Sequence, residues 1–495
     1  MRLDLTAVEE RFERVLSIIS PGWALERARL RSALNVYDTH ASRAFEGAAK
    51  GRRTKNWRAT DPGPAGPAEG SLAELRRRSR DLERNNGWAK NGISGIATTM
   101  VGPGIVCQPR VYARSTKRKS KEIAQLWKTW AMGVECDFDG LQTFYGLQQT
   151  VTKSMVDSGE VLVRRRLRRV SDTEVALELQ VLEADFLDTS KDLVKKDGTR
   201  IIQGVEFDSR GKRVAYYIFT EHPANRGSVV GFRGYESKRV LAEDIIHLFR
   251  LERPGQVRGI PWLAPAILNL RDLDEYEDAE LVRRKIATCF TAFVTSPLPE
   301  DEDTSDPDDL REKMEPGTIE HLPPGKTVTL ATPPTVTGYK EYSSAMLHKV
   351  AAALQCPYTV LTGDFSEVNF SSGRLGWLQF WKHVDQWRWN ILIPRFCDRV
   401  FNWYLEALAL SGVKTEGVTP EWTPPKRDMI DPQKEIAATK EAIKAGIKSL
   451  PEAIREEGYE PEDLLDEIED FQKKADAKGL KFDTDMRQQN KVATV

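Results

Sequence analysis

A chain of 495 residues is long enough for two or three cooperative units rather than one core. Its 40% hydrophobic and 30% charged residues describe a folded, well-solvated protein, and 73 Lys plus Arg against 74 Asp plus Glu argue against an overall basic grip on phosphates. No run of eighteen apolar residues exists to span a membrane, and the charged start MRLDLTAVEERFERV lacks the apolar core of a secretory signal.

Residues 1–60 are polar and helix-compatible, with a basic patch at Arg52, Arg53 and Lys55. DPGPAGPAEG (61–70) marks a linker, because its prolines and glycines forbid regular structure. A helical run follows from Ser71, where Glu74 three residues on predicts a capping box; Gly102, Pro103 and Gly104 end it. The arginines Arg76, Arg77, Arg78 and Arg80 on this run are expected in salt bridges between subunits or in solvent.

From about 158 to 250 the period changes to two. Val175, Leu177, Leu179 and Val181 alternate with Ala176, Glu178 and Gln180, which predicts a half-buried strand. GVEFDSRGKRVAYYIF (204–219) predicts a hairpin with its turn at Asp208 to Gly211, and IIHLFR (245–250) one more strand. The body is therefore α+β. Arg164, Arg165, Arg166, Arg168 and Arg169 fall in a strand-like stretch. They are read as an exposed hairpin in preference to a contact with DNA or scaffold.

Helical periodicity returns in 261–293, with Ile267, Leu270, Leu273, Tyr276, Ala279, Val282 and Ile286 as an apolar stripe. From 264 to 290 such a helix would be about 40 Å long. Beside the stripe stand Asp272, Asp274, Glu275, Glu277, Asp278 and Glu280, then Arg283, Arg284 and Lys285. Such a face is ordinarily a solvated one, here with i,i+4 pairing of Glu280 with Arg284. An insert, 294–338, carries the acidic loop PEDEDTSDPDD and the strand-like KTVTLATPPTV. A second helix, 339–355, stops at Pro357, and a polar loop (357–372) leads to an aromatic-rich helical stretch, 373–410. Pro394 is expected to kink or divide that stretch. Its Trp377, Trp381, Val384 and Ile391 recur at helical spacing, which predicts packing over base stacking. The tail, 431–495, reads as a small bundle of short helices.

Signals for catalysis are poor. PPGKT (323–327) has Glu320 where a phosphate loop needs its first glycine. Six scattered histidines form no H-E-x-x-H, and no G-x-S-x-G occurs. Five cysteines, odd in number and without C-x-x-C spacing, are expected as buried thiols rather than disulfides or metal ligands. No cofactor, no metal and no enzymatic activity are expected.

Five segments, RNNGWAKNGISGIATTMVGPG (84–104), MVDSGEVLVRR (155–165), LQVLEADFLDT (179–189), HLFRLERPGQVRGIPWLAPAI (247–267) and PYTVLTGDFSEVNFSSGRLGWLQFW (357–381), occur in the order of the lambda-like phage portal proteins. From about 70 to 450 the chain resembles that family. The resemblance implies a ring-forming α+β fold, a homo-oligomer of about twelve copies that replaces one capsid pentamer. It divides the chain into an N-terminal arm and linker (1–70), an α+β wing (71–262), a first stem helix (263–293) and a clip (294–338). A second stem helix (339–356), a tunnel loop (357–371), a long kinked wing helix (372–412) and a helical crown (413–495) follow. The arm finds little to match.

What the resemblance implies about function is a channel for DNA packaging and ejection at the portal vertex of the virion, assembled in the host cytoplasm. The six stem carboxylates would line it, a collar of roughly seventy negative charges that keeps double-stranded DNA from sticking, whatever its sequence. Thr362, Gly363, Asp364, Glu367, Asn369, Ser371 and Ser372 would project from the tunnel loop, with weak hydrogen bonds to phosphates from Asn369, Ser371 and Ser372. A plain interhelical connection is the rival reading of that loop. The clip, with Glu300, Asp301, Glu302 and Asp303, would dock the terminase and the head–tail connector; major capsid and scaffold proteins are further partners. Another virion structural protein, such as a head–tail adaptor, or a packaging nuclease or ATPase stand as alternatives.

Overall fold

The computed structural model describes residues 63, 70–111, 117–168, 175–224, 236–288, 291–295, 327–331, 338–427, 431–459, 461–482 and 485, and all of its secondary structure among them belongs to the unit Pro64–Val495. The 1–60 arm and the acidic loop of the insert lie outside the described residues.

The predicted helical run after Ser71 is two helices, α1 (Leu72–Asn85) and α2 (Gly87–Val101), broken where the Asn86 side chain accepts from the Ala89 amide at 2.9 Å. The capping box does not form. Ser71 makes no side-chain cap, and Glu74 pairs with Arg78 and Arg77, both at 3.0 Å. Strand β1 (Val106–Val111), α3 (Lys117–Met132) and α4 (Phe144–Ser158) follow.

Strands β2 (Glu160–Leu167) and β3 (Leu177–Glu183) form an antiparallel hairpin. The predicted alternation in β3 is not half-buried: Leu177, Glu178 and Leu179 are all buried, so both faces are covered. A five-stranded antiparallel meander runs β4 (Leu193–Val194), β5 (Arg200–Ile202), β6 (Val205–Phe207), β7 (Arg213–Phe219) and β8 (Ser237–Leu241). Its β6–β7 turn sits where expected: the Asp208 carboxylate accepts from the Arg210 and Lys212 amides, and Gly211 takes φ +85°. Strand β9 (Ile245–Phe249), buried throughout, pairs with β2 to complete a second sheet of order β3–β2–β9.

The acidic helix α5 spans Ile267–Thr288 and is followed by a short antiparallel hairpin, β10 (Thr291–Thr295) with β11 (Thr327–Ala331). Thr327 of the GKT sequence thus opens a hairpin strand and not a helix. Helix α6 (Tyr339–Leu354) packs back along α5. The predicted loop after it is partly helical: α7 (Tyr358–Thr362) is one turn, and α8 (Phe370–Trp387) begins three residues before the expected start.

Pro394 does divide the long helical stretch, by widening it. Residues Arg388–Cys397 are π-helical and lead into α9 (Asp398–Leu410). Proline has no N–H to give and its ring crowds the preceding turn, so the wider i→i+5 turn relieves both. The buried Arg388 at its start donates to the carbonyls of Met100 and Thr99 at 2.6 and 2.7 Å, satisfying the end of α2. Strand β12 (Val418–Thr423) pairs with β1, and the tail folds as α10 (Pro432–Lys444), α11 (Leu450–Glu456) and α12 (Pro461–Ala477), in keeping with a set of short helices.

Two cores result. The larger joins α2, α4, β2, β3, α6 and α9 around an aromatic nest in which Trp127 meets Phe144, Phe401 and Tyr404 edge-on at 4.9–5.4 Å. The smaller lies under the meander, with Leu162, Leu187, Val205, Tyr216 and Ile218. Trp387 and Trp403 are buried and Trp377 and Trp381 pack against the larger core, as the helical spacing requires; Trp389 is exposed. Cys107, Cys136, Cys356 and Cys397 are buried free thiols, and Cys289 lies outside the described residues.

Candidate functional site

The acidic helix α5 divides its carboxylates between two faces. Its apolar stripe is buried only at the start, at Ile267, Leu270 and Leu273. Tyr276 is half-buried, Ala279 is exposed and Val282 is 53% exposed, so among the described side chains the stripe loses its cover from Ala279 on. Asp272, Glu275 and Asp278, three residues apart, share the solvent face. Arg271 also stands there and binds Glu275 at 2.8 Å.

The other three carboxylates turn inward, a correction to the six-carboxylate face expected from sequence. Asp274 accepts from the Asn86 amide at 2.7 Å, and Glu277 accepts from the Tyr339 hydroxyl at 3.3 Å. Burial, with Asp278 close by, pushes the Asp274 carboxyl up; burial, with Asp274 and Asp278 close by, does the same to Glu277. Glu280 is buried between Arg283 at 2.5 Å and Arg284 at 3.0 Å, the second being the i,i+4 pair expected from the spacing.

The loop residues serve the loop itself. The Thr362 hydroxyl donates to the Tyr358 carbonyl at 2.8 Å, and Gly363 ends α7 at φ +69°. Asp364 accepts from the Ser366 amide at 2.9 Å, and Glu367 binds Lys340 of α6 at 2.7 Å. Asn369 accepts from the Ser372 amide at 2.8 Å as the cap of α8, and the Ser372 hydroxyl returns to the Asn369 carbonyl at 3.1 Å. The Asn369 acceptor and the Ser372 hydroxyl are therefore engaged within the chain; Ser371 is exposed. Beneath them Leu361 is fully buried, and Asn91 donates to the Val360 and Leu361 carbonyls. The loop is an anchored ledge. Glu300, Asp301, Glu302 and Asp303 lie outside the described residues.

A cluster that the sequence patterns did not single out holds the two sheets together. Glu160, 1% exposed at the head of β2, accepts from Arg258 (2.5–3.0 Å), His247 (2.9 Å), Arg76 (3.2 Å) and the Gly259 amide (2.8 Å). Burial alone would push its carboxyl up; the Arg258 charge, aided by His247, overrides this and holds it far below the usual range. His247 is driven down to about 4 by burial, against the pull of Glu160. It is therefore neutral near pH 7. Its Nε2–H donates to Glu160, and its Nδ1 accepts from Arg213 at 3.1 Å, so one tautomer satisfies both contacts. Glycine is required where the chains cross: a Cβ on Gly259 would lie 2.1 Å from the Gly159 carbonyl. These residues contain no activated nucleophile, and their chemistry is that of a rivet. A signal was present, since Glu160 and Arg258 stand in two of the five segments that carried the resemblance.

Most arginines of the two runs are engaged within the chain. Arg76 and Arg80 reach Asp185 at 3.4 and 2.7 Å, so these two serve as intrachain bridges. Arg165 binds Asp244 at 2.6 Å and also Glu406, Arg166 binds Gln180 and Arg168 binds Glu178. Arg169 lies outside the described residues. Among the described residues Glu183, Asp185 and His222 bring donor atoms within 4.8 Å of one another, but Arg80 already binds both carboxylates and His222 Nδ1 accepts from the Ala224 amide. Among the described residues no helix is long and apolar enough to cross a membrane.

Against known proteins, residues 50–388 match the family described as phage portal protein, lambda family. The chain is 28% identical over 455 residues to the probable portal protein of Halomonas phage phiHAP-1, covering 86% of each. It is 20% identical over 448 residues to portal protein B of Escherichia phage lambda, covering 78% of this chain and 81% of that one. Among solved structures it is similar to a chain in the neck of a native gene transfer agent particle, at 14% identity and a TM-score of 0.48, covering 80% and 94%.

Proposed function

The chain belongs to the lambda family of phage portal proteins, and on that ground we propose that copies of it close into a ring, of about twelve, whose lumen passes double-stranded DNA into and out of the capsid. The observation that carries this reading is the exposed face of α5. Asp272, Glu275 and Asp278 point away from the chain's own core on a helix that α6 backs for part of its length. Repeated around a ring, three exposed carboxylates per copy, offset by the Arg271 that binds Glu275, would leave a net of roughly twenty-four negative charges, about a third of the collar expected from sequence. A negative wall keeps a polyanion centred, since phosphate neutralisation by Lys and Arg is what makes DNA adhere. The uncovered Leu281, Val282 and Tyr342 beside it are suited to contact with a neighbouring copy.

In this reading α5 and α6 form the stem, the insert between them the clip that docks terminase and then connector, and 357–371 a ledge at the lumen. Residues 71–262 with α8 and α9 are the wing and the tail is the crown. Assembly would take place in the host cytoplasm, on scaffold and major capsid protein.

The test is negative-stain imaging of the purified chain, then in vitro packaging with Asp272→Lys/Asp278→Lys rings. Rings with a central hole of about 20 Å, room for one B-form duplex whose grooves are ~12 and ~6 Å wide, and packaging lost in the variant while rings persist, are expected. Normal packaging by the charge-reversed rings would remove the electrostatic argument.

A further inference from the structure

Helix α10 is a structural anomaly within its own chain. It is 13 residues long and none of them is buried. A helix of that length is marginal in water without an apolar face packed against something. Its apolar residues do share a face: Ile436 and Ile443 are seven apart, and Ile447, four further on in the turn, is 82% exposed. Lys440 and Lys444 flank that face.

The tail also contains a cleft that is open among the described residues. A space of about 820 Å³ is lined by Tyr459, Leu464, Ile468, Phe471, Leu480 and Phe482. Phe471 and Phe482 pack on each other in its wall, ring centroids 5.6 Å apart, and remain 58% and 42% exposed. Its charged lining is acidic on balance, Glu467, Asp470 and Asp485 against the single cation Lys474. The opposite side of α12 is committed: Glu462 binds Arg110, Asp463 accepts from Gln108 and Asp466 binds Lys121. The cleft is thus held open on a helix already anchored to β1 and α3.

We propose that α10 and its following turn in one copy seat in the α12 cleft of the next copy, Ile443 and Ile447 entering the apolar floor while Lys440 and Lys444 meet Glu467 and Asp470. The inference rests on the ring reading above and deepens it. One surface donates and a different one accepts, so the contact is head-to-tail, the kind that closes into a ring when the rotation permits. Apolar burial supplies the adhesion, and the charges set register and partner choice.

The experiment uses the full chain, followed by mass photometry across a dilution series and by negative stain. Ile447→Asp should lose rings while the monomer keeps its thermal unfolding profile, because that side chain is 82% exposed in its own chain. Lys440→Glu/Lys444→Glu and Glu467→Lys/Asp470→Lys should each raise the half-assembly concentration about tenfold, and the four changes together should restore it to within about threefold. Wild-type rings with unaffected variants overturn this inference and leave the ring reading standing. A wild-type chain that forms no ring at any concentration overturns both. Lower monomer stability on cutting the chain after residue 485, with rings indifferent to the charge swaps, would assign the cleft to the chain's own last ten residues and also overturn the inference.

Discussion

Replacing Glu160 by Gln keeps the shape of the side chain and removes its charge. Arg258 is fully buried and Arg76 nearly so, and in the variant neither would have a full counter-charge at Glu160; Arg76 would keep only the Asp185 contact at 3.4 Å. Breaking a buried pair by removing one partner costs about 3–5 kcal/mol, because the remaining charge stays desolvated. Against a total stability of roughly 5–15 kcal/mol that is a large fraction. Urea unfolding followed by circular dichroism should show the midpoint fall with the slope unchanged. Pairing Glu160→Met with Arg258→Met should cost less than the sum of the single changes, since the orphaned guanidinium goes too. A loss below about 1 kcal/mol for Glu160→Gln would refute the view that this cluster rivets the two sheets.

The same cluster predicts acid lability with a defined window. His247 is held at about 4 in the fold against an ordinary 6.5, so the unfolded chain binds the extra proton first. The resulting stability is fully present above pH 6.5 and is lost as pH falls toward 4, by roughly 3 kcal/mol, with Glu160 adding to the loss below its ordinary 4.5. Melting temperatures of wild type and His247→Gln between pH 7.5 and 4.5 check this; the variant should have the flatter profile over pH 6.5–4.5. Gly259→Ala should destabilise by at least about 2 kcal/mol, since its Cβ would meet backbone that cannot yield; thermal unfolding reads it directly. Asn369→Ala removes the cap of α8 and should cost about 1 kcal/mol, visible as faster amide exchange over 370–373 with the rest of the chain unchanged.

Removal of 358–371, a polar loop whose loss the sequence alone predicts to spare folding while impairing DNA packaging, carries a different expectation in the fold. Leu361 is in the core and α7 packs on α2, so the deletion would unfold part of the larger core instead of trimming a surface. Local polarity misled because five of those residues form one turn that buries Leu361 and packs Tyr358 and Val360 against the core. Charge reversal at Asp274 would likewise disturb a hydrogen bond to Asn86 as well as the solvent face.

Periodicity and punctuation were enough to establish the α+β order of elements, the β6–β7 hairpin, the two helices flanking an insert, and the break at Pro394. Each of these depends on backbone preferences or spacing that short segments carry by themselves. The five ordered segments pointed to the lambda-like portal family, which the match over 50–388 establishes. Tertiary structure alone decided which side of α5 each carboxylate takes, because a helical face acquires meaning only when a neighbour covers the other side. It alone brought Arg76, Glu160, His247 and Arg258 together from separate stretches of chain. It also revealed a thirteen-residue helix none of whose residues is fully buried in its own chain. Burial and partnership are properties of surfaces meeting in space, and spacing along a chain does not encode them one residue at a time.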